Sequence, residues 1–173
     1  MADRMDPFMR IGLLADTHGK AGTARRAVEL LIAHGAEMLI HLGDVGGIEV
    51  VDAMAGEWPV HIVFGNTDDD AGEVGRYATL LGMHVHEPAG RIVVDGKTIV
   101  FTHGHWPDVM NAALAGHADF LLHGHTHKVR DESVGNTRVI NPGALCRTAV
   151  YTVGLLDVKT GRLETIEVPS GLG

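Results

Sequence analysis

Five short segments carry residue types that hold metal ions. In chain order they are Asp16-Thr17-His18, Gly43-Asp44, Gly65-Asn66-Thr67-Asp68, Thr102-His103-Gly104-His105 and Gly124-His125-Thr126-His127. Asp16 and His18 stand two residues apart, as do His125 and His127, a spacing that turns both side chains of a pair to one side of an extended segment. Aspartate, asparagine and histidine offer hard oxygen and borderline nitrogen donors. That mixture suits Mn²⁺, Fe²⁺, Ni²⁺ or Zn²⁺ better than a thiolate-preferring metal. Each segment is weak by itself, since Gly-Asp and Gly-Asn are ordinary turn pairs and two histidines can sit anywhere on a surface. Their ordered occurrence, each at the end of an apolar run, points to a single site.

The apolar runs are the elements that must position these groups. Residues 8–15 and 38–42 read as buried strands ending at Asp16 and Gly43-Asp44, and 60–64 as a third ending at Gly65-Asn66. Between them, Ala27, Leu30, Leu31 and Ala33 give a helical spacing over 23–34, with Thr23 as a candidate cap and Gly35 as a stop, and 48–54 reads as a short helix. Strand–helix–strand–helix–strand order argues for right-handed parallel crossovers. The second half is richer in hairpins. Strands at 91–94 and 98–101 flank Asp95-Gly96, two short stretches flank Gly135-Asn136, and a last hairpin spans 151–168. A short helix near 109–115 and a buried strand at 120–123 lie between. This order predicts two packed sheets with helices outside, and ligands of such sheets bind beyond the carboxyl ends of the strands.

Composition narrows the class. The chain has 173 residues, a formal charge of −8, 14 Lys+Arg against 22 Asp+Glu, 12 His and one Cys. One domain over 8–170 is expected from that length. An acidic chain is poorly suited to non-specific nucleic-acid binding, which draws on Lys and Arg. No apolar run approaches the roughly 18 residues of a membrane helix. The polar start at 1–7 lacks the apolar segment of a secretion signal and reads as a tail. The lone Cys146 has no disulfide partner, which fits a cytoplasmic location.

The five segments resemble the D-x-H, G-D, G-N, H-G and G-H-x-H series of the calcineurin-like metallophosphoesterase superfamily. Asn141-Pro142-Gly143-Ala144 resembles that family's later N-P-G-S element, with Ala in place of Ser. The short chain and the G-N-x-D form are most similar to the YfcE-like phosphodiesterases. The resemblance implies an α/β fold, a four-layer αββα sandwich of two mixed β-sheets flanked by helices. It implies one metal held by Asp16, His18, Asp44 and His127, and a second held by Asp44, Asn66, His103 and His125, with Asp44 bridging. Mn²⁺ is the expected ion, with Ni²⁺, Fe²⁺ or Zn²⁺ as alternatives. Two such ions share a water, lower its pKa and clamp phosphoryl oxygens, so a bridging hydroxide attacks a small phosphate ester in line. Asn66 and His103 are then catalytic residues as well as ligands.

One departure is informative. Many phosphatases of the superfamily have a histidine directly after G-N, assigned to protonating the leaving group, and this chain has Thr67 there. That favours diesters or good leaving groups and makes His105 a candidate proton donor. The rival activities are a phosphomonoesterase or nucleotidase with the same metals, and a catalytically weak scaffold of the same fold. All seven ligand positions are kept, which favours an enzyme. His41 and His123 read as core residues supporting the site. His34, His61, His84, His86 and His117 read as surface or helix-end residues. Asp68-Asp69-Asp70 reads as a solvated loop, Lys20, Arg76 and Arg147 as surface cations, and Cys146 as a small buried residue. Homo-oligomer formation is left open.

Overall fold

The computed structural model describes residues 9–171. The tail at 1–7, and Phe8 of the first expected strand, lie outside the described residues. The elements are β1 (Arg10–Leu14), α1 (Ala21–Ala33), β2 (Met38–Leu42), α2 (Ile48–Met54), β3 (Val60–Val63), α3 (Ala71–Leu80), β4 (His84–His86), β5 (Ala89–Val94), β6 (Lys97–Thr102), α4 (Pro107–Ala115), β7 (Phe120–Leu122), β8 (Arg130–Val134), β9 (Thr137–Asn141), β10 (Thr152–Asp157) and β11 (Leu163–Glu167).

They form two mixed sheets. The first has the order β11-β10-β1-β2-β3-β4 and the second β5-β6-β7-β9-β8. In the first, β1 to β4 run parallel and β10 and β11 add antiparallel strands. In the second, β6, β7 and β9 run parallel between antiparallel β5 and β8. Period-two alternation assigns the faces. Ile11, Leu13, Ile40, Leu42, Ile99, Phe101, Phe120 and Leu122 meet in one apolar layer between the sheets. Leu14 and Leu39 turn the other way, onto Ala24, Ala27, Val28 and Leu31 of α1 and Val50, Val51 and Met54 of α2. Val100 and Leu121 turn onto Ala113 of α4. The result is four layers, helix–sheet–sheet–helix, as the resemblance implied. Ile40 and Phe101 are fully buried. Truncating either to Ala is expected to cost about 3–5 kcal/mol, so the strands form a stiff platform for whatever their ends carry.

The structure corrects several expectations. Helix α1 starts at Ala21 with Lys20 at its cap position and no side-chain capping bond, so Thr23 is a buried residue of the first turn and not the cap. Gly35 does end the helix, in the left-handed conformation. Two elements had not been anticipated. Helix α3 contains Gly72 and Gly75, which weaken its helical signal, and β4 is three residues long with two polar ones. Adding β4 covers β3, so His61 is a buried residue and not a surface one.

Candidate metal centre

The groups converge where β1, β2, β3, β6 and β7 end. The loops after β1 and β2 are zipped together by backbone hydrogen bonds from Asp16 N–H to Gly43 O (3.0 Å), His18 N–H to Asp44 O (2.9 Å) and Gly19 N–H to Val45 O (3.0 Å). This course needs an unusual backbone. Asp16, His18, Asp44, His125 and His127 all have φ between 45° and 70°. L-residues adopt that region at a cost of order 1–3 kcal/mol each, and such strain clusters at functional sites. Gly65 serves close approach: a Cβ there would stand 2.1 Å from Asp44 Oδ1. Gly43 combines φ of +96° with a Cβ position 2.5 Å from His103 Nδ1. Neither position has room for a side chain.

One ligand atom from each of Asp16, His18, Asp44 and His127 lies within 4.8 Å of all the others. His18 Nε2 is 3.5 Å from Asp44 Oδ2 and also 3.5 Å from His127 Nε2, and His127 Nε2 is 3.3 Å from Asp16 Oδ1. Beside this set, His103 Nε2 is 3.4 Å from Asp44 Oδ2 and 3.1 Å from Asn66 Oδ1. The His125 ring stands 5.1 Å from that of His103. All seven residues singled out in the sequence are therefore brought to one place, with Asp44 between the two groups.

The donor and acceptor pattern fits divalent cations. Asp16 is fully buried, and its Oδ2 accepts the His125 amide while Oδ1, although 3.3 Å from His127 Nε2, forms no aligned hydrogen bond. An unsatisfied buried carboxylate oxygen is costly unless a cation satisfies it. His103 Nδ1–H donates to Leu42 O at 2.7 Å, since a carbonyl can only accept. That leaves Nε2 facing the Asp44 and Asn66 oxygens, an arrangement in which a metal or an added proton is needed to make the contacts attractive.

The proton affinities follow the same geometry. Burial pushes Asp16 up to about 6, against the opposing charges of His103 and His127. Burial also acts to raise Asp44, but hydrogen bonding and charge from His103, helped by the Thr67 amide, outweigh it and hold this carboxyl well below the usual range. His103 is the converse case. Burial alone would lower it, and the bond to Asp44 raises it above an ordinary histidine. Burial lowers His18, His125 and His105, and neutral imidazole is the form that coordinates.

Supporting residues lock these loops. His41 is fully buried, and its Nδ1 accepts the Gly43 amide at 3.1 Å, so Nε2–H donates to Thr17 Oγ1 at 3.0 Å and Thr17 in turn donates to Val45 O at 2.8 Å. Burial, then the charge of His103, holds His41 down to about 3, so it stays neutral. His123 donates from Nδ1 to Gly124 O at 3.0 Å and accepts Arg130 at Nε2. Both histidines thus have supporting places, as expected. Asn141 donates to Gly124 O at 2.9 Å and Thr126 Oγ1 at 3.1 Å while accepting the Gly143 amide, so the Asn141–Ala144 turn holds the His125–His127 loop. Asp68 is a correction. It is buried and not solvated, accepting amides of Val45 (3.2 Å), Gly46 (2.9 Å) and Gly65 (2.8 Å), and so ties the loop after β3 to the loop after β2. The G-N-x-D spacing was its signal. Thr67 gives its amide to Asp44 Oδ1 at 3.0 Å. Lys20 bonds Tyr151 and Cys146 is buried, as expected of a surface cation and a small buried residue. No helix among the described residues is long and apolar enough to cross a membrane.

The chain is similar to known phosphodiesterases. The phosphodiesterase MJ0936 of Methanocaldococcus jannaschii is 28% identical over 156 residues, covering 87% of this chain and 94% of that protein. The phosphodiesterase YfcE of Escherichia coli K12 is 26% identical over 152 residues, covering 80% of each. A solved archaeal phosphodiesterase superposes with a TM-score of 0.85 at 26% identity, covering 92% of this chain and all of that one. The profile of the calcineurin-like phosphoesterase superfamily domain matches residues 9–161, and the chain belongs to that superfamily.

Proposed function

We propose that this protein is a dinuclear-metal phosphodiesterase. In this proposal Asp16, His18, Asp44 and His127 hold one ion and Asp44, Asn66, His103 and His125 the other, within a single domain over 8–170. The observation that carries it is the buried Asp16 Oδ1 without an aligned hydrogen bond, in a set of four ligand atoms within 4.8 Å of one another. Divalent ions bound there would lower the pKa of a water and clamp phosphoryl oxygens, the chemistry of an in-line displacement. Mn²⁺ is the proposed ion, with Ni²⁺, Fe²⁺ or Zn²⁺ also compatible with these donors.

The chain's own residues then do the following. The carboxylates of Asp16 and Asp44 bring two negative charges against the four positive charges of the ions, leaving a pocket that attracts an anionic phosphate despite the net −8 of the chain. The Leu42 carbonyl aims His103 Nε2, and the Thr67 amide fixes the Asp44 carboxylate. Thr67 offers no group that titrates near neutral pH, so an unactivated alcohol leaves without help and a diester with a better leaving group is the favoured substrate. His105 is the candidate proton donor. Burial lowers its proton affinity and so favours the neutral imidazole. A small phosphate ester as substrate and a cytoplasmic location complete the proposal.

The test is metal analysis followed by assay of a diester and a monoester with Mn²⁺ or Ni²⁺ added. Faster turnover of the diester is expected. Preference for the monoester would favour a phosphomonoesterase, and no turnover of either by metal-loaded protein would favour a scaffold.

A further inference from the structure

Among the described residues, Trp106 is the one exposed aromatic side chain, with 56% of its surface open. The other described Phe, Tyr and Trp side chains are buried or half-buried. Trp106 occupies the cap position of α4, followed by Pro107 at the first helical position, and its carbonyl accepts the Met110 amide at 3.1 Å. The backbone from which the indole projects is therefore fixed by the helix start. Its ring stands 4.8 Å from that of His105, tilted by 45°. The His105 ring in turn stands 5.3 Å from His103 and 6.1 Å from His125. A continuous series of rings thus leads from the proposed ligands outward to one open indole. His105 Nδ1 is buried and has no hydrogen-bond partner, a second unsatisfied group on the same path.

An exposed indole at such a place has a chemical use. A substituent of a phosphodiester held at the proposed ligands would, if it followed this series of rings, pass His105 and reach Trp106. Indoles bind planar π-systems by stacking, with little regard to the pattern of polar atoms on them. We infer that Trp106 is a stacking platform for a planar aromatic substituent of the substrate, a nucleobase or an aryl group, and that it sets the substrate class of the site. The inference rests on the phosphoesterase reading, because it presumes that the phosphate is held at the metal centre.

The test is calorimetric binding to Mn²⁺-loaded protein, which needs no turnover. Adenosine 5′-monophosphate is compared with ribose 5-phosphate, and phenyl phosphate with methyl phosphate. Each pair shares the phosphate and differs in the ring, so changes in metal content cancel in the ratio. The wild type is expected to prefer the ring-bearing member of at least one pair. Trp106→Ala is expected to shrink that preference by about five-fold or more, and Trp106→Phe to retain most of it. Loss in the adenosine pair assigns a nucleobase, and loss in the phenyl pair an aryl group. A wild type without preference in either pair, or a preference that survives Trp106→Ala, overturns the stacking role and leaves the metal centre standing. Failure of the metal-loaded wild type to bind any of the four also overturns the stacking role, while the diester assay decides the phosphodiesterase reading by itself.

Discussion

Histidines gather at two places in this molecule, and the two gatherings differ in everything except residue type. At the strand ends, His18, His103, His125 and His127 surround Asp16 and Asp44. At the sheet edge, His61 of β3 pairs in register with His84 of β4, and its Nδ1 lies 2.9 Å from His86 Nε2. The edge rings lie nearly parallel, with His61 4.7 Å from His84 and 5.2 Å from His86, and both His61 and His86 meet the edge of Phe101. Burial, helped by the charges of His84 and His86, holds His61 down to about 4. Here imidazole satisfies imidazole on regular strand backbone. At the strand ends the backbone is left-handed, the anions are buried and one carboxylate oxygen lacks an aligned hydrogen bond. What marks a metal centre is the buried carboxylate and the strained loop that holds it, more than the number of histidines.

Substitutions at the two places should therefore diverge. Asp44→Asn removes the charge shared by both ligand groups and is expected to lower diester turnover by at least about 10³-fold, several kcal/mol of barrier, with the circular dichroism spectrum unchanged. His61→Gln is expected to keep turnover within about two-fold while lowering stability by about 1 kcal/mol. A deep activity loss from His61→Gln would erase the distinction.

A next step down tests the loop. Gly65→Ala places a Cβ 2.1 Å from Asp44 Oδ1, so the carboxylate must move. A displacement of that kind is expected to cost about 10²-fold in turnover, read from steady-state kinetics with saturating metal. Wild-type kinetics in this variant would mean that the Asp44 position is not critical.

Asn141→Ala should cost about 1–3 kcal/mol in denaturant unfolding. It removes two donated bonds and leaves the buried Gly143 amide without an acceptor. The accompanying loss of metal affinity would show that this turn supports the His125–His127 loop.

The smallest expected effect is a pH dependence from the sheet edge. His61 has its proton affinity lowered on folding, from 6.5 to about 4. Between those values the unfolded chain binds the proton more readily than the folded one. Stability is thus fully present above pH 6.5 and is lost as pH falls toward about 4. The His61 share is about 1–2 kcal/mol after allowance for screening at the sheet edge. Metal-free protein should show this slope in denaturant unfolding, and His61→Gln should reduce it.

The chain declared its candidate metal centre more openly than its edges. Strand β2 and helix α2 are bounded as the apolar pattern predicts, at Met38–Leu42 and Ile48–Met54, because a fully buried strand and a helix with one buried face leave strong periodic signals. The convergence of the proposed ligand residues was legible because each follows such a strand. Helix α3 was not, since Gly72 and Gly75 interrupt it, and β4 is too short to show alternation. Missing β4 made His61 read as a surface residue. Asp68 misled for a related reason. Three consecutive aspartates read as a solvated run, and only the folded loops show that the first of them turns inward to three amides. Thr23 fits a capping pattern two residues after the helix has already begun.

The most direct test of the central claim is the number of Mn²⁺ ions bound per chain, measured by elemental analysis after loading and desalting, for wild type, Asp44→Asn and His61→Gln. Two ions in the wild type, two in His61→Gln and fewer in Asp44→Asn are predicted from the geometry around Asp16 and Asp44. Two ions retained in Asp44→Asn, or none in the wild type, would contradict it.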